Sequence, residues 1–217
     1  MKNLSLQQFN DAAMFFYELT NIKNESFIIE NPNSNVLISA PHAIRQMRLG
    51  KIKLAEPKTV NYAVILNKLT DCNIIIKAAN TNNDANFDES TPYKTRMEKL
   101  VNRHNIKFVI DLHSLAPDKE VLVNIGVYFG ELLQTEQKKK HFDRLVQIFK
   151  LNNLTPSIDM PFAAGPKTIA YHFGKDPDIF AVQLEVNSKL AKPEMGKELN
   201  SFINACTQFI EYAQNFV

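Results

Sequence analysis

The chain has little that would staple it, anchor it or steer it toward a polyanion. It has only two cysteines, Cys72 and Cys206, both in apolar segments and neither in a C-x-x-C pair. A disulfide framework or a thiolate metal site has nothing to build on, so both read as reduced core thiols. No apolar run reaches the length of a membrane-spanning helix. The opening "MKNLSLQQFNDAAMFFYEL" contains Asp11 and Glu18 and lacks a long apolar stretch, so no secretory signal is expected and the expected compartment is the cytoplasm. Net charge is only +2, too small to argue for nucleic acid or an anionic membrane as partner. There is no internal repeat, low-complexity tract or linker, and a single domain over residues 1–217 is expected.

What is present is ordinary in amount and informative in order. The composition, 45% hydrophobic and 22% charged, is that of a globular protein. A chain of this size buries roughly 70% of its unfolded surface, enough for a sizeable core. Ser5 and Gln8 match a capping box at the start of an amphipathic helix expected to reach Thr20, with Phe9, Ala12, Ala13, Phe16 and Leu19 on one face. "SFIIE", "NVLISA", "NIIIKAA", "KFVIDLH", "VLVNIGVYFG" and "IFAVQLEVN" read as strands. Helices are expected from Glu56-Pro57 to about Thr70, from Thr91-Pro92 to about His104, from Thr135 to Lys150 and from about Pro193 onward. The lysines at 138–140 read as a solvated helix face, and "PFAAGPKTIAYHF" as irregular chain or an edge strand. Strands alternating with helices predict an α/β fold: a single three-layer domain whose mixed, mostly parallel sheet carries helices on both faces.

In such sheets ligands bind beyond the carboxyl ends of the strands. "NVLISAPH" ends in His42, "KFVIDLHS" in Asp111, His113 and Ser114, and "IFAVQLEVN" in Glu185 and Asn187. "NIIIKAAN" leads into Asp84, Asn86 and Asp88. His42, His113 and Glu56 would make a three-ligand zinc site with a position left for water. Asp111 would hold a ligating imidazole by its other nitrogen. Glu185, on an apolar strand that would raise its pKa, is the candidate general base. Each residue also has a plainer reading: hydrogen-bonded structural histidines, a helix-start carboxylate for Glu56, half of an ion pair for Glu185. His104 and His141 read as structural, while His172 is the remaining histidine that could reach the site.

Taken in order, "SAPHAIRQMRLGKIKLAEPKT", "NNDANFD", "FVIDLHS" and "VQLEVN" resemble the N-formylglutamate amidohydrolase family, which is similar to the zinc carboxypeptidases and aspartoacylases. The resemblance spans residues 36 to 187. It implies a phosphorylase/hydrolase-like, zinc-carboxypeptidase-like fold with one Zn2+ per chain. It further implies cleavage of an N-formyl or N-acyl amide next to a carboxylate-bearing group. His42, Glu56 and His113 match its ligand positions and Glu185 its general base. The sequence departs from the carboxypeptidase pattern at Arg45, where those relatives place the glutamate ligand. Arg45 is then a candidate for steadying the oxyanion, and Arg48, Asn86 and Arg96 for binding the substrate's carboxylates, with Lys167 in a covering loop.

The expected activity is zinc-dependent hydrolysis of an N-acylated acidic amino acid, a small-molecule substrate. The alternatives are a zinc carboxypeptidase or peptidoglycan-peptide amidase using the same site, and a non-catalytic binding protein on a hydrolase scaffold. Self-association to a homo-oligomer is left open by the composition.

Overall fold

Unbroken apolar runs make strands that need cover on both faces, and this chain builds its frame from four of them. In the computed structural model, which describes residues 4–12, 14 and 25–216, the strands are Ser26–Ile29 (β1), Val36–Ala40 (β2), Gln46–Arg48 (β3), Lys51–Lys53 (β4), Asn73–Lys77 (β5), Phe108–Leu115 (β6), Val123–Gly126 (β7), Ser157–Ile158 (β8) and Phe180–Asn187 (β9). The helices are Leu6–Asp11 (α1), Lys58–Thr70 (α2), Pro92–His104 (α3), Glu136–Leu151 (α4), Ile169–Gly174 (α5) and Gly196–Gln214 (α6).

Seven strands form one sheet in the order β1-β5-β2-β6-β9-β7-β8. The central four, β5, β2, β6 and β9, are parallel, while β1 and β7 join antiparallel at either side. Every residue of β2, β5 and β9 is buried. Alternate side chains of these strands serve different cores. Val36, Ile38, Ala40, Ile110 and Val182 pack with Val60, Phe149 and Phe202 from α2, α4 and α6. Leu37, Ile75, Val109 and Ala181 face Met97, Leu100 and Phe173 from α3 and α5. Each fully buried Leu, Ile, Val or Phe side chain is worth about 1.5–3 kcal/mol relative to exposure, so two-sided burial is what commits these runs to the centre of the sheet. The fold is the expected three-layer α/β arrangement.

Local signals place the element ends. Ser5 and Gln8 make the reciprocal capping box, although the rest of that expected helix, beyond Ala12, lies largely outside the described residues. Thr91 and Thr135 cap α3 and α4 with their hydroxyls. The last helix starts three residues later than expected, because Pro193–Met195 is a separate 3-10 turn. Both cysteines are buried and free, and burial pushes the Cys72 thiol up to about 12.

Three features differ from the sequence reading. The segment "TIAYHFG" is a short helix, α5, because the Thr168 side chain accepts the Tyr171 N–H and starts a turn that outweighs the preceding glycine and proline. Lys138 is not on a solvated face: it is buried, and its ammonium donates to the carbonyls of Gly174 and Asp176, capping the end of α5. The basic stretch after His42, to which the sequence reading assigned no element, is a hairpin. Leu49 (φ 51°) and Gly50 (φ 72°) turn it, and the register pairs Gln46 with Lys53 and Arg48 with Lys51. The chain around Ala164 passes close over Gly126 at the end of β7. A Cβ on Gly126 would come within 2.9 Å of Ala164, so this close approach requires glycine. No helix among the described residues is long and apolar enough to cross a membrane.

Candidate active site

The chain runs from β2 to β5 on one side and later to β6 on the other, so a crevice opens at the carboxyl ends of β2 and β6. His42 enters it from the turn after β2, and His113 from β6 itself. The hairpin that follows His42 returns to its own start: the Glu56 N–H donates to the His42 carbonyl at 2.7 Å. His42 Nδ1 lies 3.1 Å from Glu56 Oε1, and His113 Nδ1 lies 3.1 Å from Glu56 Oε2. One donor atom from each of the three residues falls within 4.8 Å of the others. The Ser114 N–H donates to Glu56 Oε2 at 3.0 Å and the Lys53 ammonium to Oε1 at 2.5 Å, so the carboxylate is fixed at both oxygens.

The other nitrogen of each imidazole rests on a buried aspartate. His42 Nε2 is 2.7 Å from Asp84 Oδ1, and His113 Nε2 is 3.0 Å from Asp111 Oδ2. A carboxylate behind Nε2 favours the proton there, so that on binding a metal Nδ1 is the nitrogen that gives up its proton and turns its lone pair to the ligand site. Asp111, expected behind a ligating imidazole, lies behind His113. Asp84, which the sequence reading left without a role, does the same for His42. Two buried imidazole nitrogens and one partly buried carboxylate, each imidazole backed by a further carboxylate, fit a divalent metal of the zinc type.

The charges reinforce each other. Burial alone would raise the Glu56 pKa, but the charges and hydrogen bonds of His113 and His42 hold it well below the usual carboxylate range. Burial would lower that of His113, yet Asp111 and Glu56 raise it well above the usual value. Asp84 is also lowered: its burial is outweighed by His42, the Asn86 N–H and Arg48.

Glu185 behaves in the opposite way. Register pairs it with His113 across β6 and β9, so the two side chains leave the same face of the sheet. Burial pushes its carboxyl up to about 7, opposed by the His113 charge and assisted by that of Glu56. Gln183 Nε2 donates to its Oε1 at 2.9 Å. All these groups border a cavity of about 360 Å³ whose wall also carries three cations, Arg48, Lys53 and Lys119, and the half-exposed Phe162.

The other sequence candidates divide. Arg48 reaches the cavity, with Nε and Nη2 on Asp84 Oδ2 at 2.9 and 2.7 Å and its guanidinium 5.0 Å from the centre of the Phe87 ring. Asn86 borders the cavity with its amide already spent. Its Nδ2 donates to Asp111 Oδ2 at 2.9 Å and lies 2.5 Å from His113 Nε2, and its Oδ1 accepts the Ile169 N–H at 2.9 Å, so it braces the Asp111–His113 pair instead of offering a free donor. Arg45 is exposed and does not border the cavity, which separates it from the expected oxyanion role. Arg96 is exposed on α3 and borders a different depression with Glu25, Ser90 and Lys99. Lys167 lies over the other approach to Phe87, 5.4 Å from its ring centre. His172 pairs with Glu98 and His104 with Glu30, while His141 is buried among Phe108, Phe180 and Phe216. Lys53, Lys119 and Gln183 were missed. For Lys53 a usable signal existed in the sequence: it precedes Glu56 by three residues.

No protein-family model matches the chain, and no curated protein matches it. Its fold is similar to several solved structures. The N-formylglutamate amidohydrolase of Ralstonia eutropha aligns over 89% of this chain and 99% of its own, at 10% identity and a TM-score of 0.55. A bacteriophage poly-gamma-glutamate hydrolase aligns over 88% and 89%, at 16% identity and 0.54. A metallo-carboxypeptidase of Burkholderia cenocepacia aligns over 94% and 69%, at 13% identity and 0.53. At these identities the likeness is one of fold.

Proposed function

We propose that this protein is a metal-dependent hydrolase of C–N amide bonds, with zinc as its metal and an N-formyl or N-acyl derivative of an acidic amino acid as its substrate. The observation that carries this reading is the His42–Glu56–His113 donor set lying beside a protonatable Glu185 across the β6–β9 register. It is supported by the fold shared with solved structures whose names are those of amide and peptide hydrolases.

A metal held by His42, Glu56 and His113 would polarise the substrate carbonyl and acidify the attacking water. The remaining work belongs to the chain. Glu185, with a pKa of about 7, takes the water's proton near neutral pH and returns it to the departing nitrogen. Asp84 and Asp111 hold the two imidazoles with Nδ1 presented to the site. Arg48, held along one edge by Asp84, keeps its other edge for a substrate carboxylate, and Lys119 adds positive charge to the wall. This arrangement favours an anionic substrate.

A second reading, a peptide substrate cleaved at the same centre, draws on the exposed Phe162 on the cavity wall, which suits a longer chain with an apolar group. Zinc-loaded protein incubated with N-formylglutamate, N-acylated aspartate and short acidic peptides, with released amine measured, separates the two readings. The first predicts turnover of the small amides and about one zinc per chain. Protein that binds no transition metal, or that cleaves none of these compounds, refutes both.

A further inference from the structure

Amide hydrolysis of this kind passes through a tetrahedral intermediate, whose negative oxygen needs a donor held ready where the charge appears. Arg45, the residue the sequence suggested, is on the surface away from the cavity. Of the three cations that the described residues place on the cavity wall, Arg48 is committed to Asp84 through Nε and Nη2 and braced on Phe87. Lys119 is an exposed residue in the connection after β6. Lys53 differs from both: its side chain is 27% exposed, and its ammonium sits on Glu56 Oε1, the oxygen that lies 3.1 Å from His42 Nδ1.

We infer that Lys53 is the catalytic cation that receives the oxyanion. This rests on the proposed amide-hydrolase reading. An ammonium has three N–H donors, and among the described residues Glu56 is the hydrogen-bond partner recorded for Lys53, using one of them. The hairpin register holds the group in place. Lys53 pairs with Gln46, a fully buried residue, and shares its face of the ribbon with Arg48, so both cations turn to the cavity.

The step balances without any further reactant. The water oxygen bonds to the carbonyl carbon, its proton passes to the Glu185 carboxylate, and the carbonyl π pair moves onto oxygen, where Lys53 donates a hydrogen bond and stays protonated. Collapse restores the C=O bond and breaks the C–N bond, and the proton on Glu185 goes to the leaving nitrogen. The products are one carboxylic acid and one amine. The hairpin cations thus divide the work, Arg48 reading the substrate's charge and Lys53 serving the transition state.

The test uses zinc-loaded full-length wild type, Lys53→Met and Lys53→Arg, measured with N-formylglutamate and with a phosphonamidate analogue of its tetrahedral intermediate. For Lys53→Met we expect kcat to fall about 100-fold, the loss typical of one oxyanion donor, with KM within about twofold. Analogue affinity should fall in parallel with kcat/KM, zinc content should stay at the wild-type level, and Lys53→Arg should recover part of the loss. A rise in KM with kcat preserved makes Lys53 a substrate anchor and refutes the inference. So does a fall in zinc content that accounts for the lost activity, or analogue affinity that does not change. Wild-type protein that turns over neither this amide nor the related ones refutes the amide-hydrolase reading itself, and the inference with it.

Discussion

Asp84 holds two functional side chains at once: Oδ1 takes His42 Nε2 at 2.7 Å, and Oδ2 takes the Arg48 guanidinium at 2.7 and 2.9 Å. One buried carboxylate therefore sets both the orientation of a candidate metal ligand and the position of the cation expected to read the substrate. Asp84→Asn should weaken metal affinity about 10–100-fold, the usual cost of removing the partner behind a ligating histidine. Competition against a chelator of known affinity measures this. An unchanged metal dissociation constant would show that His42 does not depend on Asp84.

Glu185→Gln keeps the shape of the site and removes the proton acceptor. Turnover should drop at least about 100-fold while bound zinc is retained. If function persists in this variant, the non-catalytic binding reading gains instead.

The pH profile follows from the same residue. Burial holds the Glu185 carboxyl near 7, above its ordinary 4.5, so the base form accumulates only as pH rises through about 7. Wild-type kcat/KM should therefore climb with pH across that value and level off above it. For folding the sign reverses. The raised pKa contributes stability that is fully present below about 4.5 and is lost as pH rises through about 7. A profile already flat from pH 5 to 8 contradicts the assignment of Glu185 as base.

Arg48→Met should raise KM for a carboxylate-bearing substrate about 10-fold or more, the loss of a charge-assisted pair, and leave KM for the matching carboxamide nearly unchanged. Steady-state kinetics on the two substrates decides it. Equal losses on both would remove Arg48 from charge recognition.

Away from the site, Tyr62 is buried between Phe9 and Phe202, with ring centres 4.9 and 5.0 Å away, and its hydroxyl has no hydrogen-bond partner among the described residues. Tyr62→Phe removes an unsatisfied polar atom and keeps the packing, so the variant should be as stable as wild type or about 1 kcal/mol more stable. Urea midpoints test this; a loss of 1 kcal/mol or more would mean that the hydroxyl is bonded.

The sequence made the frame readable because its central strands are continuous apolar runs ending in polar residues that have no place in a core. His42, His113 and Glu185 stood out for that reason, and Glu56 because a proline marks a helix start just after it. What could not be read depended on pairing across distance or on strand alternation. Asp84 meets His42 through a loop forty-two residues further on. Arg45 looked close to the site because it follows His42 by three residues. Once the hairpin forms, Gln46 turns inward, Arg48 follows on the same face, and Arg45 turns out to solvent. Lys138 looked solvated beside two exposed lysines, and only the end of α5 reveals its carbonyl partners.

The Glu56 N–H bond to the His42 carbonyl closes the base of the hairpin at the two residues that matter most. Between them the arm has two parts: a root, where Lys53 holds Glu56 and Arg48 holds Asp84, and a tip, the exposed Leu49 and Gly50, which reach none of these groups. Changes at the root alter the centre and its cations together, whereas the tip is the part of the ribbon open to exchange with the donor atoms of the centre left in place.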